Sequence, residues 1–235
     1  MEILEMGSIY LDGILLTPSA VCSANSAIDF GDSVRGNEIQ WVVDGNRLIA
    51  DRCVAVNMTW AELNRQGYVF GRPVRMEGRT MLCRCPKAST SSKWTSEWDD
   101  ILKRHGTDDA IWHWQDNAFW GQEDAEDHPG YRSACGRTAP RHWGLYHKND
   151  RHIYLGFRPI LEPLPPEPEL KELSTGTKIK VYGPSGAAVV GKLAGLDDYD
   201  LTLASAKVPA GCNWAGKAND SSIISRNDIV FLQEV

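Results

Sequence analysis

Apolar and polar positions alternate in short runs along most of the chain, and the turns between runs carry the residues that hairpins require. Ile9 to Leu16 is two apolar runs about Asp12-Gly13, and Trp41 to Ile49 repeats the arrangement about Asp44-Gly45. Asp-Gly supplies the positive φ of a tight turn, so both read as β-hairpins. Tyr68 to Cys85, with Glu77-Gly78 at its middle, reads as a further strand pair, and Trp112 and Trp114 fall on one strand face with Phe119 and Trp120 close behind. Helical signals are few. Thr59-Trp60-Ala61-Glu62 is a capping box closed by Gly67 about two turns later, and Ser96-Glu97-Trp98-Asp99 opens a second helix that Gly106 ends. The expected fold class of this part is α+β, with short strands and two helices.

Glu162 to Glu169 holds four prolines and three acids, a composition that excludes helix and sheet. Beyond it only strand signals remain: Lys178–Tyr182, Ala188–Leu196, Tyr199–Leu203 and Ile223–Leu232, with a turn at Gly183-Pro184-Ser185-Gly186. Gly191 and Gly195 permit the sharp bend that closing a small barrel demands. The expectation is a first domain over 1–163, a Pro-rich linker over 164–174, and a small all-β, SH3-like barrel of about five strands over 175–235.

Composition narrows the function more than the fold. The 235 residues are 42% hydrophobic and 24% charged, which argues against disorder, collagen or coiled coil. A net charge of −6 argues against a general electrostatic grip on nucleic acid or an anionic membrane. No apolar run approaches the length of a bilayer span, and Met1 to Met6 has neither a basic lead nor an apolar signal core; phage virion or cytoplasm is the expected location. Six scattered cysteines read as reduced, buried thiols, and Cys83-Arg84-Cys85 lies below the usual gap of a zinc knuckle. Eight of the nine tryptophans precede the proline spacer, which suits a core of large aromatic plates, each seeking a partner for its indole N–H.

The strongest enzyme signatures are absent: no phosphate-cradling glycine loop, no nucleophile elbow, no zinc-protease helix. A Cys135/His142 nucleophile pair lacks an orienting third group. The five-residue spacings of His142, His147 and His152 put the middle one on the opposite strand face, which disfavours a metal site. The chain is therefore expected to be no enzyme, and to need neither cofactor nor metal.

Gly136 to Pro159 is the informative stretch, because side chains of every chemistry are interleaved around one large anchor, Trp143, before the run Ile153-Tyr154-Leu155. Trp143, Arg151 and Gly156-Phe157-Arg158-Pro159-Ile160-Leu161-Glu162-Pro163 resemble the end of the variable proteins of diversity-generating retroelements. The phrases Tyr10-Leu11-Asp12-Gly13, Trp41-Val42-Val43-Asp44-Gly45, Glu97-Trp98-Asp99-Asp100, Trp112-His113-Trp114 and Phe119-Trp120-Gly121-Gln122 are similar to phage-associated members of that group. The resemblance implies a C-type lectin-like fold of the formylglycine-generating-enzyme subtype, and ligand binding by a hypervariable surface. In that family template adenines are misread, so Asn codons ending in a pyrimidine diversify. Arg137, Thr138, Pro140, His142, Gly144, Leu145, His147, Asn149, Asp150 and His152 satisfy the codon constraint, whereas Trp143 and Lys148 do not. Those ten positions are the expected ligand-binding residues, and a protein or glycan receptor on a target surface is the expected partner. Trp143, Ile153, Leu155 and Phe157 are expected to turn inward and hold the frame.

Gly191 to Leu203 and Ile224 to Leu232 resemble the two sequence blocks of Sm-like barrels, which form rings and often bind RNA. Arg226 and Asn227 fall near the second RNA-contact block, but its usual Arg-Gly pair is missing. Homo-oligomerisation through this barrel is therefore preferred over RNA. A formylglycine-generating-type enzyme is the alternative from another class, and it needs a cysteine mate that Cys135 lacks downstream within the first domain.

Overall fold

In a computed structural model the described residues are 1–89, 96–164, 172–183, 187–209 and 212–235. Trp94, most of the proline spacer and the centre of the expected 183–186 turn lie outside them. The chain divides into two compact units, Met1–Pro163 and Leu164–Val235.

The first unit opens with β1 (Ile3–Leu11), β2 (Ile14–Leu16), β3 (Ala20–Val21), β4 (Ile28–Gly31), β5 (Glu38–Asp44), β6 (Arg47–Ala50) and β7 (Ala55–Val56). Helix α1 (Trp60–Arg65) leads to β8 (Arg72–Met76) and β9 (Arg79–Arg84), then to α2 (Glu97–His105) and α3 (Asp109–Trp112). The unit closes with β10 (Ala118–Asp124), β11 (Tyr131–Gly136), β12 (Trp143–His147), β13 (Leu155–Phe157) and β14 (Ile160–Pro163). One sheet runs β2-β1-β5-β6-β14-β9-β8 with β4 also on β1, and a second runs β12-β11-β10-β13-β7-β3. Asp12-Gly13 and Glu77-Gly78 turn the β1–β2 and β8–β9 hairpins with both residues at positive φ, the left-handed backbone conformation that matches a tight turn to the right-handed twist of its strands.

The expected α+β class is corrected by these coordinates: 47% of the chain is strand and 11% helical, closer to an all-β protein. The helices stay short because they are bounded at both ends. Thr59 and Ser96 each form a capping box, and α2 ends at Gly106. The Trp112–Trp114 stretch, read from its alternation as a strand, is instead the last residue of α3 followed by a turn. Asp108 caps that single turn and His113 adopts a left-handed conformation behind it.

Alternation along the strands feeds two cores within this unit. On β10, Ala118 and Trp120 join one core while Phe119 joins the other, and on β5 Trp41 and Val42 divide in the same way. The tryptophans are plates with satisfied edges. The indoles of Trp41, Trp60, Trp98, Trp112, Trp114 and Trp120 donate to the main-chain carbonyls of Met6, Gly121, Pro140, Gly106, Thr107 and Met58 at 2.7–3.0 Å. Arg158 is fully buried and points among Trp98 and Phe119. Its guanidinium is held by the carbonyls of Asp51 and Trp112 at 3.1 and 2.6 Å.

The second unit has β15 (Lys178–Tyr182), β16 (Ala188–Leu196), β17 (Asp200–Lys207), β18 (Ala215–Ala218), β19 (Ser221–Ser225), a 3-10 turn at Arg226–Asp228, and β20 (Phe231–Glu234). They form one sheet in the order β18-β19-β17-β16-β15-β20, wrapped about a core that includes Ile179, Val181, Leu193, Leu201 and Ile224. The five-stranded barrel expected from sequence is thus a six-stranded sheet whose outer strands, β18 and β20, do not pair with each other among the described residues. The extra strand is β18, whose Ala-Gly-Lys-Ala sequence has no apolar alternation to announce it. The register slips beside Gly191 and again beside Gly195, where β16 meets β17.

No helix among the described residues is long and apolar enough to cross a membrane.

Candidate functional site

The stretch 137–152 is built around β12, the outermost strand of the second sheet. β12 pairs antiparallel with β11, placing Trp143 opposite Cys135, Leu145 opposite Ser133 and His147 opposite Tyr131. Main-chain hydrogen bonds hold the stretch at both ends. On the approach side, the Gly136 N–H donates to the His142 carbonyl at 2.9 Å, and the Trp98 indole donates to the Pro140 carbonyl at 2.7 Å. On the exit side, the Lys148 N–H donates to the Gly130 carbonyl and the Ala61 N–H to the Lys148 carbonyl, at 2.8 and 3.0 Å. The turn after β12 is closed by the Asp150 carboxylate, which accepts the His147 N–H at 2.9 Å, while the Asp150 N–H returns to the His147 carbonyl.

Arg151 is the deepest tether. Its guanidinium donates to the Asn57 carbonyl and to the Glu62 carboxylate, which also receives the Asn25 N–H at 2.7 Å and the Thr59 N–H at 2.9 Å. Burial alone would raise the Glu62 pKa, but the hydrogen bonds from Thr59, Asn25 and Arg151 outweigh it and hold the carboxyl below its ordinary value.

The ten expected ligand-binding residues do not fall into one patch. Arg137, Thr138, His142 and Asn149 are exposed, and Pro140, Gly144, Leu145, His147, Asp150 and His152 are half-buried. Alternation on β12 divides them further, because Leu145 and His147 lie on the strand face of Trp143 whereas Gly144 lies on the face of Tyr146. Two of the ten are joined by residues that sequence reasoning did not single out. The Arg137 guanidinium lies over the Tyr154 ring at 3.4 Å from its centroid, and the His152 imidazole stacks on Tyr154 at 4.9 Å with planes 3° apart. Tyr146 meets His152 edge-on at 5.9 Å and Trp120 at 6.1 Å. Burial and the adjacent Tyr154 raise the Tyr146 phenol above its ordinary pKa. A guanidinium, an imidazole and two phenols therefore share one half-buried cluster, seated on a core tryptophan. Separately, His147 lies edge-on to Tyr131 at 5.7 Å.

The expected inward anchors are only partly inward. Leu155 and Phe157 are fully buried in β13, and Trp143 is half-buried against the second core. Ile153 is 72% exposed, contrary to expectation. Residues 153 and 154 form a turn closed by the Leu155 N–H on the His152 carbonyl at 2.9 Å, which interrupts the alternation that would have sent Ile153 inward. The same turn brings Tyr154 up to Arg137 and His152.

The five buried thiols are held in the protonated form, away from a nucleophilic thiolate. Burial pushes Cys22 and Cys135 up to about 12 and Cys53 up to about 11, and Cys83 and Cys85 are raised as well. Among the described residues, no three His, Cys, Asp or Glu side chains gather into a group that could hold a metal ion. In the second unit, the Arg226 guanidinium donates to the Asp197 carbonyl at 3.0 Å, which ties it to the β16–β17 turn, and Asn227 is exposed.

Comparison with known protein families, with characterised proteins and with solved structures finds no match for this chain.

Proposed function

We propose that the chain is a non-catalytic binding protein that recognises a protein or glycan receptor through the outer side of 137–152. The observation that carries this reading is the division of labour in that stretch: main-chain bonds, Arg151 and Asp150 fix its course, while Thr138, His142 and Asn149 are exposed and Arg137 lies exposed across the Tyr154 ring. Exposed positions of this kind change at under about 0.5 kcal/mol each, whereas core positions cost several. A face fixed in advance also avoids the ordering cost of a loose loop, about 0.5 to 1.5 kcal/mol per immobilised side chain. The sequence likeness to diversity-generating retroelement variable proteins supports reading this face as the diversified one, in a phage particle or a bacterial cytoplasm. Homo-oligomers built through the second unit would raise avidity for a weak ligand.

The test is a panel of immobilised glycans and bacterial surface preparations, probed with the full chain and with a version carrying Arg137→Ala, His142→Ala, Asn149→Ala and His152→Ala. The reading expects a bound target whose retention falls at least tenfold in the substituted chain, with unchanged circular dichroism. Equal retention by both, or loss of the native spectrum on substitution, overturns it.

A further inference from the structure

The second unit contains a cleft that the recognition face does not involve. Its volume is about 660 Å³, and its floor and wall are Val190, Val208 and Pro209 with Ala188 beside them, while Lys178, Lys192 and Lys207 stand around it. The cleft is made by a flaw in strand pairing. β17 is in register with β16 at Val190↔Lys207 and at Lys192↔Ala204, so Ser205 and Ala206 on β17 face the single residue Gly191 on β16, and one extra residue is accommodated between those pairs. Ser205 takes a positive φ of 50° there. A bulge bends its strand, and Val208 and Pro209, which follow it, line the cleft together with Val190 of β16. Gly191 is what allows so close an approach: a Cβ at that position would stand 2.9 Å from Leu203 Cβ and 3.0 Å from the Ala204 carbonyl oxygen.

The charged side chains that line the cleft are all cations, and Val235, whose N–H donates to the Lys178 carbonyl at 2.9 Å, lines it as well. Lys178 and Lys192 are direct cross-strand partners, a like-charge pairing that costs stability in a sheet. Lys207 stands opposite Val190, two residues from Lys192 along β16. With strands about 5 Å apart and about 7 Å per two residues, the three ammonium groups can reach one common anion. Among the described residues, none of the three forms an ion pair. Three exposed cations ring an apolar hollow of the size that takes a small molecule rather than a bilayer or a nucleic-acid strand.

We infer that this cleft binds a small single-chain amphipathic anion, with a carboxylate or phosphate head held by Lys178, Lys192 and Lys207 and an apolar body laid along Val190, Val208 and Pro209. The inference does not depend on what the first unit recognises. It is tested on the full chain by titration calorimetry with decanoate, decyl phosphate, decyltrimethylammonium and inorganic phosphate, all below their aggregation concentrations. Decanoate or decyl phosphate is expected to bind at one site, at least tenfold more tightly than either the cationic amphiphile or phosphate alone. Lys178→Gln, Lys192→Gln and Lys207→Gln should each weaken binding about 2- to 5-fold, the range of exposed charge pairs, and the triple variant at least tenfold. Val190→Ser should weaken the decyl ligands while leaving the weak phosphate binding unchanged. Anion and cation binding alike, indifference to the triple substitution, or tighter lysine-dependent binding of a uridine hexanucleotide or of anionic vesicles would each overturn the inference.

Discussion

If the course of 137–152 is set by tethers and its outer side is free, the two kinds of residue must differ sharply in what their removal costs. Arg151→Gln deletes the guanidinium that serves the Asn57 carbonyl and the Glu62 carboxylate. Hydrogen bonds to charged groups contribute about 1.5 to 3 kcal/mol, and breaking a fully buried pair costs about 3 to 5 kcal/mol. Arg151 is 25% exposed and Glu62 only 7%, so water reaches the vacated place and Glu62 keeps its bonds from Asn25 and Thr59. The loss should therefore lie near the lower figures, at about 2 kcal/mol. Thr138, His142 and Asn149 are exposed, and replacing all three with alanine should cost under about 1 kcal/mol together. Urea unfolding followed by tryptophan fluorescence reports the first unit, which holds eight of the nine tryptophans. At a slope of about 2 kcal/mol per molar, Arg151→Gln should lower the midpoint by about 1 M and the triple variant by under about 0.5 M. The pair also fixes a pH dependence. Because the Glu62 pKa is depressed in the folded state, its contribution is present above the unfolded value of about 4.3 and is lost as pH falls through the lower folded value. The gap between the parent chain and Arg151→Gln should accordingly narrow below about pH 4. A triple variant as damaging as Arg151→Gln, or a gap indifferent to acid, would refute the distinction between tether and face.

Three further outcomes follow from the same coordinates. Gly156→Ala should prevent folding or cost more than about 3 kcal/mol in urea unfolding, because its Cβ would be driven into the Ala55 carbonyl oxygen across the β13–β7 pair. Arg158→Met should cost about 3 kcal/mol or more by the same measurement: although methionine fills the space, it leaves the carbonyls of Asp51 and Trp112 buried without donors. Titration with a thiol reagent at neutral pH should modify half-buried Cys212 first. The five buried cysteines should wait for denaturant, and rapid modification of Cys135 would contradict its burial.

Local chemistry was legible in the sequence where a few adjacent residues decide the outcome. Asp12-Gly13 and Glu77-Gly78 dictate their turns, and Thr59 with Glu62 and Ser96 with Asp99 dictate helix starts, because turn and cap energies depend on neighbours only. The balance between classes was less readable. A stretch such as Trp112-His113-Trp114 carries strand-like alternation, yet Asp108 four residues earlier can commit it to one helical turn. β18 was unreadable because a strand of Ala, Gly and Lys is held by its pairing with β19 rather than by its own pattern. The candidate site shows the same limit. The distribution of polar residues in 137–152 is a sequence property, but Tyr154 reaches Arg137 only through a turn at 153–154, and Arg151 reaches Glu62 from 89 residues away. Such meetings depend on the completed fold, which no local window contains.

An outermost strand is a physically apt place for a changeable surface. Among the described residues β12 has β11 as its neighbour on one side only, so a single ladder fixes its main chain there and the segments leaving it need tethers of their own. Those tethers come from groups that diversification of the expected positions would spare: the Trp98 indole, the Gly130 and Lys148 main chain, and the Arg151 side chain. Asp150 is the exception. Its carboxylate closes the turn after β12, so exchange there disturbs the frame and not merely the face. Arg137 and His152 stand between these cases. Their stacking on Tyr154 adds about 0.5 to 1 kcal/mol for the cation and comparable packing for the imidazole, small enough to be given up without unfolding. A ligand that replaced either as Tyr154's stacking partner would recover that energy. With Tyr146, which also lies outside the ten positions, the Tyr154 phenol is thereby a fixed element against which differing neighbours can be set.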